Sequence, residues 1–136
     1  SEAVIQECLR YIHNHLEDTE LSVNQLADQC HMNAIYLNRI FRKEKETSIG
    51  QYIIQERMHL AARLLLDSGL TAHTVAEKVG YLNYPYFSTA FKKFYGCSPQ
   101  KYVERQEDSH ENKDWSCEAI NFKEVCLDNG DSTVFL

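Results

Sequence analysis

Two groups of basic residues stand out against an acidic chain. Arg39, Arg42, Lys43 and Lys45 cluster in one short stretch, and Lys92 and Lys93 form a second pair. Cations gathered this way attract phosphate, because local clusters rather than whole-chain charge set that attraction. Asn38 and Arg39, side by side, carry the amide and the forked guanidinium that make paired hydrogen bonds to adenine and guanine edges. The net charge of −6 over 136 residues argues the other way until the chain is divided. Residues 1–105 carry twelve Lys and Arg against twelve Asp and Glu, whereas residues 106–136 carry two Lys against eight acids. All the excess acid therefore belongs to a segment beyond Arg105.

Other chemistries lack the residues they need. No nucleophile, base and orienting acid fall into a catalytic pattern, and no glycine-rich loop is present to cradle a phosphate, so an enzyme is not expected. Five Cys without a Cys-x-x-Cys pair suggest neither a closed disulfide framework nor a thiolate zinc site. Cys30 and His31 are adjacent, but nothing else completes a ligand set, and neither metal nor cofactor is expected. No apolar run approaches the ~18 residues of a membrane span and no signal-peptide pattern opens the chain, which reads as cytoplasmic with no membrane partner. Its first residue is Ser, not Met, which fits a piece of a longer protein.

The elements that must position these residues are helical. The apolar share is 43%, with only five Gly and two Pro, a balance that favours an all-α domain. From Ala3 to Glu17, Ile5, Cys8, Leu9, Ile12 and Leu16 recur at helical spacing and form one buried stripe. Ser22 and Gln25 read as a capping box opening a short helix, Val23 to Cys30, and Asn33 as the N-cap of the next, which turns Leu37, Ile40 and Phe41 inward. Ser48 and Gln51 cap a long helix, Ile49 to Asp67. Thr71 to Val79 and Asn83 to Tyr95 repeat the short-then-long pattern, Gly96 stops it, and Ser98-Pro99 opens a last helix ending near Arg105. Arg57 falls on the buried seam of the long helix, four residues from both Ile53 and Ala61, where a structural bond to a carbonyl or an acid suits it better than DNA. Tyr81, Phe87, Phe91, Phe94 and Tyr102 read as core rather than as stacking platforms.

The pattern is an internal duplication. Ser22 falls on Thr71 and Ala27 on Ala76 at an offset of 49, then Asn33 falls on Asn83, Tyr36 on Tyr86 and Phe41 on Phe91 at 50, one extra residue lying in the second turn. Each copy is a short helix, a tight turn and a second helix, which is a helix-turn-helix. The helix between them forms a rod of about 30 Å, close to the ~34 Å between successive major grooves on one face of a duplex. Off its apolar stripe, the second helix of each copy carries groups suited to phosphates and base edges: Asn38, Arg39, Arg42 and Lys43, then Ser88, Thr89, Lys92 and Lys93.

Several stretches in order carry a family resemblance: Tyr36-Leu37-Asn38-Arg39-Ile40-Phe41-Arg42-Lys43, Arg57-Met58-x-x-Ala61 with Leu64-Leu65, Val75-Ala76-x-x-Val79-Gly80-Tyr81, Tyr86-Phe87-Ser88-x-x-Phe91-Lys92-Lys93 and Gly96-x-Ser98-Pro99-x-x-Tyr102. Together they resemble the DNA-binding domain of AraC/XylS-type transcription regulators over roughly residues 3–105. The resemblance implies a seven-helix, all-α domain with two helix-turn-helix subdomains on a linker helix. It also implies promoter DNA and RNA polymerase as partners, and a preceding sensing or receiver domain. By position, base reading falls on Ile35, Asn38 and Arg39 in the first subdomain and on Tyr84, Pro85, Ser88 and Thr89 in the second. Phosphate contacts fall on Ser22, Arg42, Lys43, Thr71, Lys92 and Lys93. The regulator of DNA repair that shares such a domain is a poorer match, since its metal-site motif is absent.

Two further readings stay open. A helical module that binds a protein rather than DNA has the same apolar pattern, and salt separates the two, because phosphate contacts release counterions and an apolar interface does not. The acidic segment, residues 106–136, begins as a polar linker and then carries Trp115, Ile120, Phe122 and Val125 before Asn129-Gly130, a possible hairpin turn. Removing everything after Gln106 is expected to leave the melting transition nearly unchanged and to tighten non-specific DNA binding at low salt, with the difference shrinking as salt rises. Melting several degrees lower, or no tighter binding at low salt, would instead make the segment part of the fold.

Overall fold

A computed structural model describes residues 2–67 and 69–108, and among them the chain forms seven helices and no strand. They are α1 (Glu2–Asn14), α2 (Val23–Cys30), α3 (Ala34–Lys45), α4 (Ile49–Asp67), α5 (Ala72–Lys78), α6 (Tyr84–Tyr95) and α7 (Pro99–Asp108). The expected hairpin about Asn129-Gly130 lies outside the described residues.

Side-chain caps set most of the boundaries. Asn33 Oδ1 accepts from the N–H groups of Ile35 and Tyr36 at 2.9 and 3.1 Å, and Asn83 Oδ1 from Tyr86 N at 3.3 Å, so the two copies start their second helices alike. Ser48 and Gln51 form a reciprocal box: Ser48 Oγ accepts from Gln51 N at 3.1 Å and Gln51 Oε1 from Ser48 N at 3.3 Å. The box expected at Ser22 is only half made. Ser22 Oγ accepts from Gln25 N at 3.1 Å, but the Gln25 amide turns to Asp18 Oδ2 at 3.4 Å. Asp18 is available because α1 stops at Asn14, short of Glu17, and a run of single turns follows: His15 N to Ile12 O, Asp18 N to His15 O, Leu21 N to Asp18 O. At the other end α7 continues past Arg105 to Asp108, so the acidic segment begins within a helix and a cut that spares the helix falls after Asp108.

The helices make two cores that share α4. Ile5, Cys8 and Ile12 of α1, Leu26 of α2 and Leu37 and Phe41 of α3 pack with Ile49 and Ile53 of α4. Ile54, Met58, Ala61 and Leu65, further along α4, pack with Val75 and Ala76 of α5, Phe87, Phe91 and Phe94 of α6 and Tyr102 of α7. Leu60 touches both cores. Ala27 and Ala76 are buried at equivalent positions of the two copies. Polar ties add to the packing on α4: Tyr95 Oη donates to Met58 O at 3.0 Å, and His13 on α1 meets Glu56 at 3.1 Å and Tyr52 Oη at 3.2 Å.

Between the cores lies Arg57, 2% exposed. Its Nη2 donates to Asp18 O at 2.8 Å, and its guanidinium carbon sits 5.8 Å from the centre of the Tyr81 ring. The expectation of a carbonyl partner holds. Burial pulls the Arg57 guanidinium below its ordinary value, against the opposing pull of Tyr81 and Asp18, and burial pushes the Tyr81 hydroxyl up to about 12.

Gly80 completes this junction. Its φ is +90°, and a Cβ there would strike Leu16 O and lie 2.8 Å from Arg57 Cζ. Gly80→Ala is therefore expected to cost about 2–4 kcal/mol, strain and clash together. Gly69, at φ +72° with nothing within 4 Å, is the control: Gly69→Ala is expected to cost about 1–2 kcal/mol from backbone strain alone. Urea unfolding of both variants checks the difference, and equal losses would mean the junction gives way freely.

Candidate nucleic-acid interface

The two second helices, α3 and α6, each present a polar face outward. Ile35 is 73% exposed at the start of α3, and Arg39, Arg42 and Lys43 are exposed along it. No hydrogen bond or ion pair engages these three cations among the described residues. Four expected site residues, Ile35, Asn38, Arg39 and Arg42, line one open groove of about 400 Å³ with Val23 and Ala34. Ser22 stands just before Val23. Its oxygen caps α2, while its proton carries no bond to another described residue.

Asn38 also serves the fold. Its Oδ1 accepts from Ile49 N at 2.9 Å, so the acceptor half of its amide closes the first turn of α4. A paired contact to adenine uses both the acceptor and the donor, and this bond already takes one of the two lone pairs of the Asn38 oxygen. The second copy lacks this bond for a covalent reason. Ile49 corresponds to Pro99, which has no N–H, and Asn38 corresponds to Ser88. The half-buried Ser88 hydroxyl bonds to no other described residue.

On α6, Pro85 and Thr89 are exposed, and so is Lys92, again without an ion pair among the described residues. Three other expected residues are occupied. Tyr84 is half-buried and stacks on His73, ring centres 3.9 Å apart and 14° from parallel, with its inner edge against the second core. Thr71 Oγ1 accepts from Thr74 N at 3.2 Å and is 3.0 Å from Thr74 Oγ1, so its hydroxyl serves the start of α5. Lys93 is half-buried and interacts within the chain.

Three exposed side chains on or beside these helices were given no DNA contact from sequence: Tyr36 at 51%, Tyr86 at 57% and Leu82 at 85%. The duplication pairs Tyr36 with Tyr86 just inside their helices, and at those positions a tyrosine faces away from both cores.

Two helix-turn-helix units fused through one helix, with exposed cations on their outer helices, define a double-headed nucleic-acid-binding domain. A family model described as a helix-turn-helix domain matches residues 26–105. The Msm operon regulatory protein of Streptococcus mutans is 33% identical over 102 residues, 75% of this chain and 36% of that protein. The bifunctional transcriptional activator/DNA repair enzyme AdaA of Bacillus subtilis is 36% identical over 83 residues, 61% of this chain and 39% of its own. Among solved structures, the C-terminal domain of AraT, a response regulator from Geobacillus stearothermophilus, superposes with a TM-score of 0.75 at 34% identity, covering 81% of this chain and 91% of that one. The chain belongs to the AraC-type helix-turn-helix family of transcription-regulator DNA-binding domains. It spans 13% to 39% of the length of the curated relatives it matches.

The Asn38 bond makes a stability prediction. Asn38→Ala is expected to cost about 1 kcal/mol, as the loss of a helix cap does, whereas Asn38→Asp keeps the acceptor and most of the stability. Ser88→Ala is expected to stay within about 0.5 kcal/mol of the parent chain. Chemical denaturation of the three variants decides, and an Asn38→Ala chain as stable as the parent would leave α4 capped without this residue.

Proposed function

We propose that the chain binds duplex DNA sequence-specifically, with α3 and α6 seated in successive major grooves and α4 fixing their separation. The observation that carries this reading is the exposed Arg39 beside Ile35 and Arg42 around one groove, on a helix joined to its counterpart through α4. Arg39 has the fork for guanine, and Ile35 offers an apolar surface to a thymine methyl. Asn38 contributes one donor. Ser88 and Thr89 supply hydroxyls in the second groove, with Pro85 giving shape only and Tyr84 holding the start of α6. Arg42, Lys43 and Lys92, with the Ser22 hydroxyl, hold phosphates. Thr71 and Lys93 contribute to phosphate binding only if their present partners are exchanged.

On this reading the segment is a regulator's DNA-binding part and not an enzyme, and it works in the cytoplasm. Among the described residues no helix is long and apolar enough to cross a membrane. A second domain that senses a signal, and RNA polymerase as the machine acted upon, complete the proposal, in keeping with the small share of each relative that the chain covers. The domain itself spans about 1–105, with α7 carrying on to Asp108 into the acidic segment. Exposed Leu82 and Tyr86 favour one alternative, a protein-binding face.

Selection of duplexes from a random pool, followed by binding across a salt series, tests the proposal. One chain per asymmetric two-groove site and affinity that falls steeply with salt are expected. Arg39→Ala should cost about 1–3 kcal/mol and relax preference at one base position, whereas Lys92→Ala should weaken all sequences alike and flatten the salt slope by about one unit. Uniform losses from both would remove Arg39 from the base edge, and salt-insensitive binding would favour the protein-binding alternative.

A further inference from the structure

Two cysteines that the proposed DNA surface does not use meet inside the first subdomain. Cys8 is fully buried on the inner stripe of α1, and Cys30, half-buried, is the last residue of α2. Their sulfurs are 3.9 Å apart. That is contact between two thiols, about 1.9 Å longer than the ~2.05 Å bond that would join them. The place matters as much as the distance. Cys30 is followed by His31, whose left-handed backbone (φ 55°) makes the turn into α3, and Met32 N then bonds back to Ala27 O at 2.9 Å. Three residues separate Cys30 from the first residue of the recognition helix.

We propose that Cys8 and Cys30 form a reversible oxidation site, a dithiol–disulfide pair that responds to hydroperoxide and acts on the first recognition helix through the turn at His31. Cys30, reachable from solvent, reacts first. Its sulfur attacks a peroxide oxygen, the O–O bond breaks, and the departing oxygen takes the thiol proton and leaves as water, so that Cys30 becomes a sulfenic acid. The Cys8 sulfur then attacks the Cys30 sulfur. The S–O bond breaks and the hydroxide leaves as a second water with the Cys8 proton. Two thiols give up two electrons, and one hydrogen peroxide becomes two waters. Burial first, and Cys30 second, push the Cys8 thiol up to about 12. Cys8 therefore stays protonated and unreactive until its neighbour is oxidised, the order expected of a resolving cysteine. A disulfide in a reducing compartment is ordinarily of this transient, sensing kind.

Protein cores are close-packed, so drawing the end of α2 toward α1 is expected to shift the turn and the start of α3. The oxidised chain is expected to bind its selected duplex about tenfold more weakly, the size of one lost base contact. The experiment uses the whole chain: a pulse of hydrogen peroxide at neutral pH, alkylation of the remaining thiols, peptide mapping by mass spectrometry, and DNA anisotropy on the same sample. A Cys8–Cys30 linked peptide as the main product, with link and affinity change both reversed by dithiothreitol, supports the proposal. Cys30→Ser and Cys8→Ala should bind DNA like the reduced parent and ignore peroxide. Since Cys8 is buried, Cys30→Ser carries the comparison if Cys8→Ala loses stability. Oxidation of Cys30 to sulfinic acid without the link, or links that run mainly to Cys97, Cys117 or Cys126, would overturn it. So would a Cys8–Cys30 link that leaves affinity unchanged. The link is read without DNA, so its failure is distinct from failure of the DNA-binding reading.

Discussion

The bond from Arg57 to the carbonyl of Asp18 holds together two halves that would otherwise share only a helix. A guanidinium removed from water loses much of its hydration, and it stays charged here because a carbonyl dipole and a tyrosine ring replace part of what water gave. Its Nε has no partner among the described residues, so the exchange is incomplete. The fold tolerates this because the same side chain touches the turn after α1 on one side and the turn after α5 on the other. Gly80 lets those two turns close over it, since any side chain there would meet Leu16 O. The relative placement of α3 and α6 follows from that contact together with the stiffness of α4.

Duplication gave the two heads the same plan, and single substitutions then separated them. Glu46 and Gly96 both end their helices in the left-handed region, at φ 61° and 84°, so the two stops are geometrically equivalent. A few residues on, Ile49 offers an N–H and Pro99 does not. The first recognition helix is thereby tied to the linker through Asn38, while the second has no such tether and instead seats its first residue, Tyr84, on His73. One head is braced at its middle and the other at its start.

The helical frame was largely legible in the sequence because caps and apolar stripes are local signals. Asn33, Asn83, Ser48 and Gln51 act where their spacing placed them, and Phe87, Phe91 and Phe94 are core as their periodicity implied. Asn38, Tyr84, Thr71 and Gln25 each hold a partner within the chain that spacing alone did not reveal. Which partner a polar group takes depends on distances that appear only after the helices pack. The meeting of Cys8 and Cys30, 22 positions apart, has no spacing rule behind it either. Where α1 ended was missed because Leu16, although buried, lies beyond the last helical turn.

The shared helix α4 also fixes a phase. Each residue of an α-helix advances the chain about 1.5 Å and turns it about 100°. Adding or deleting one residue between Ile53 and Met58 would therefore swing one head around the other by more than a quarter of a revolution and carry Arg57 away from both turns. On the proposed reading, base preference can drift through exposed side chains one at a time, but the distance and angle between the two heads cannot drift with it. Every duplex site so read would inherit a single helical register, however much its letters change.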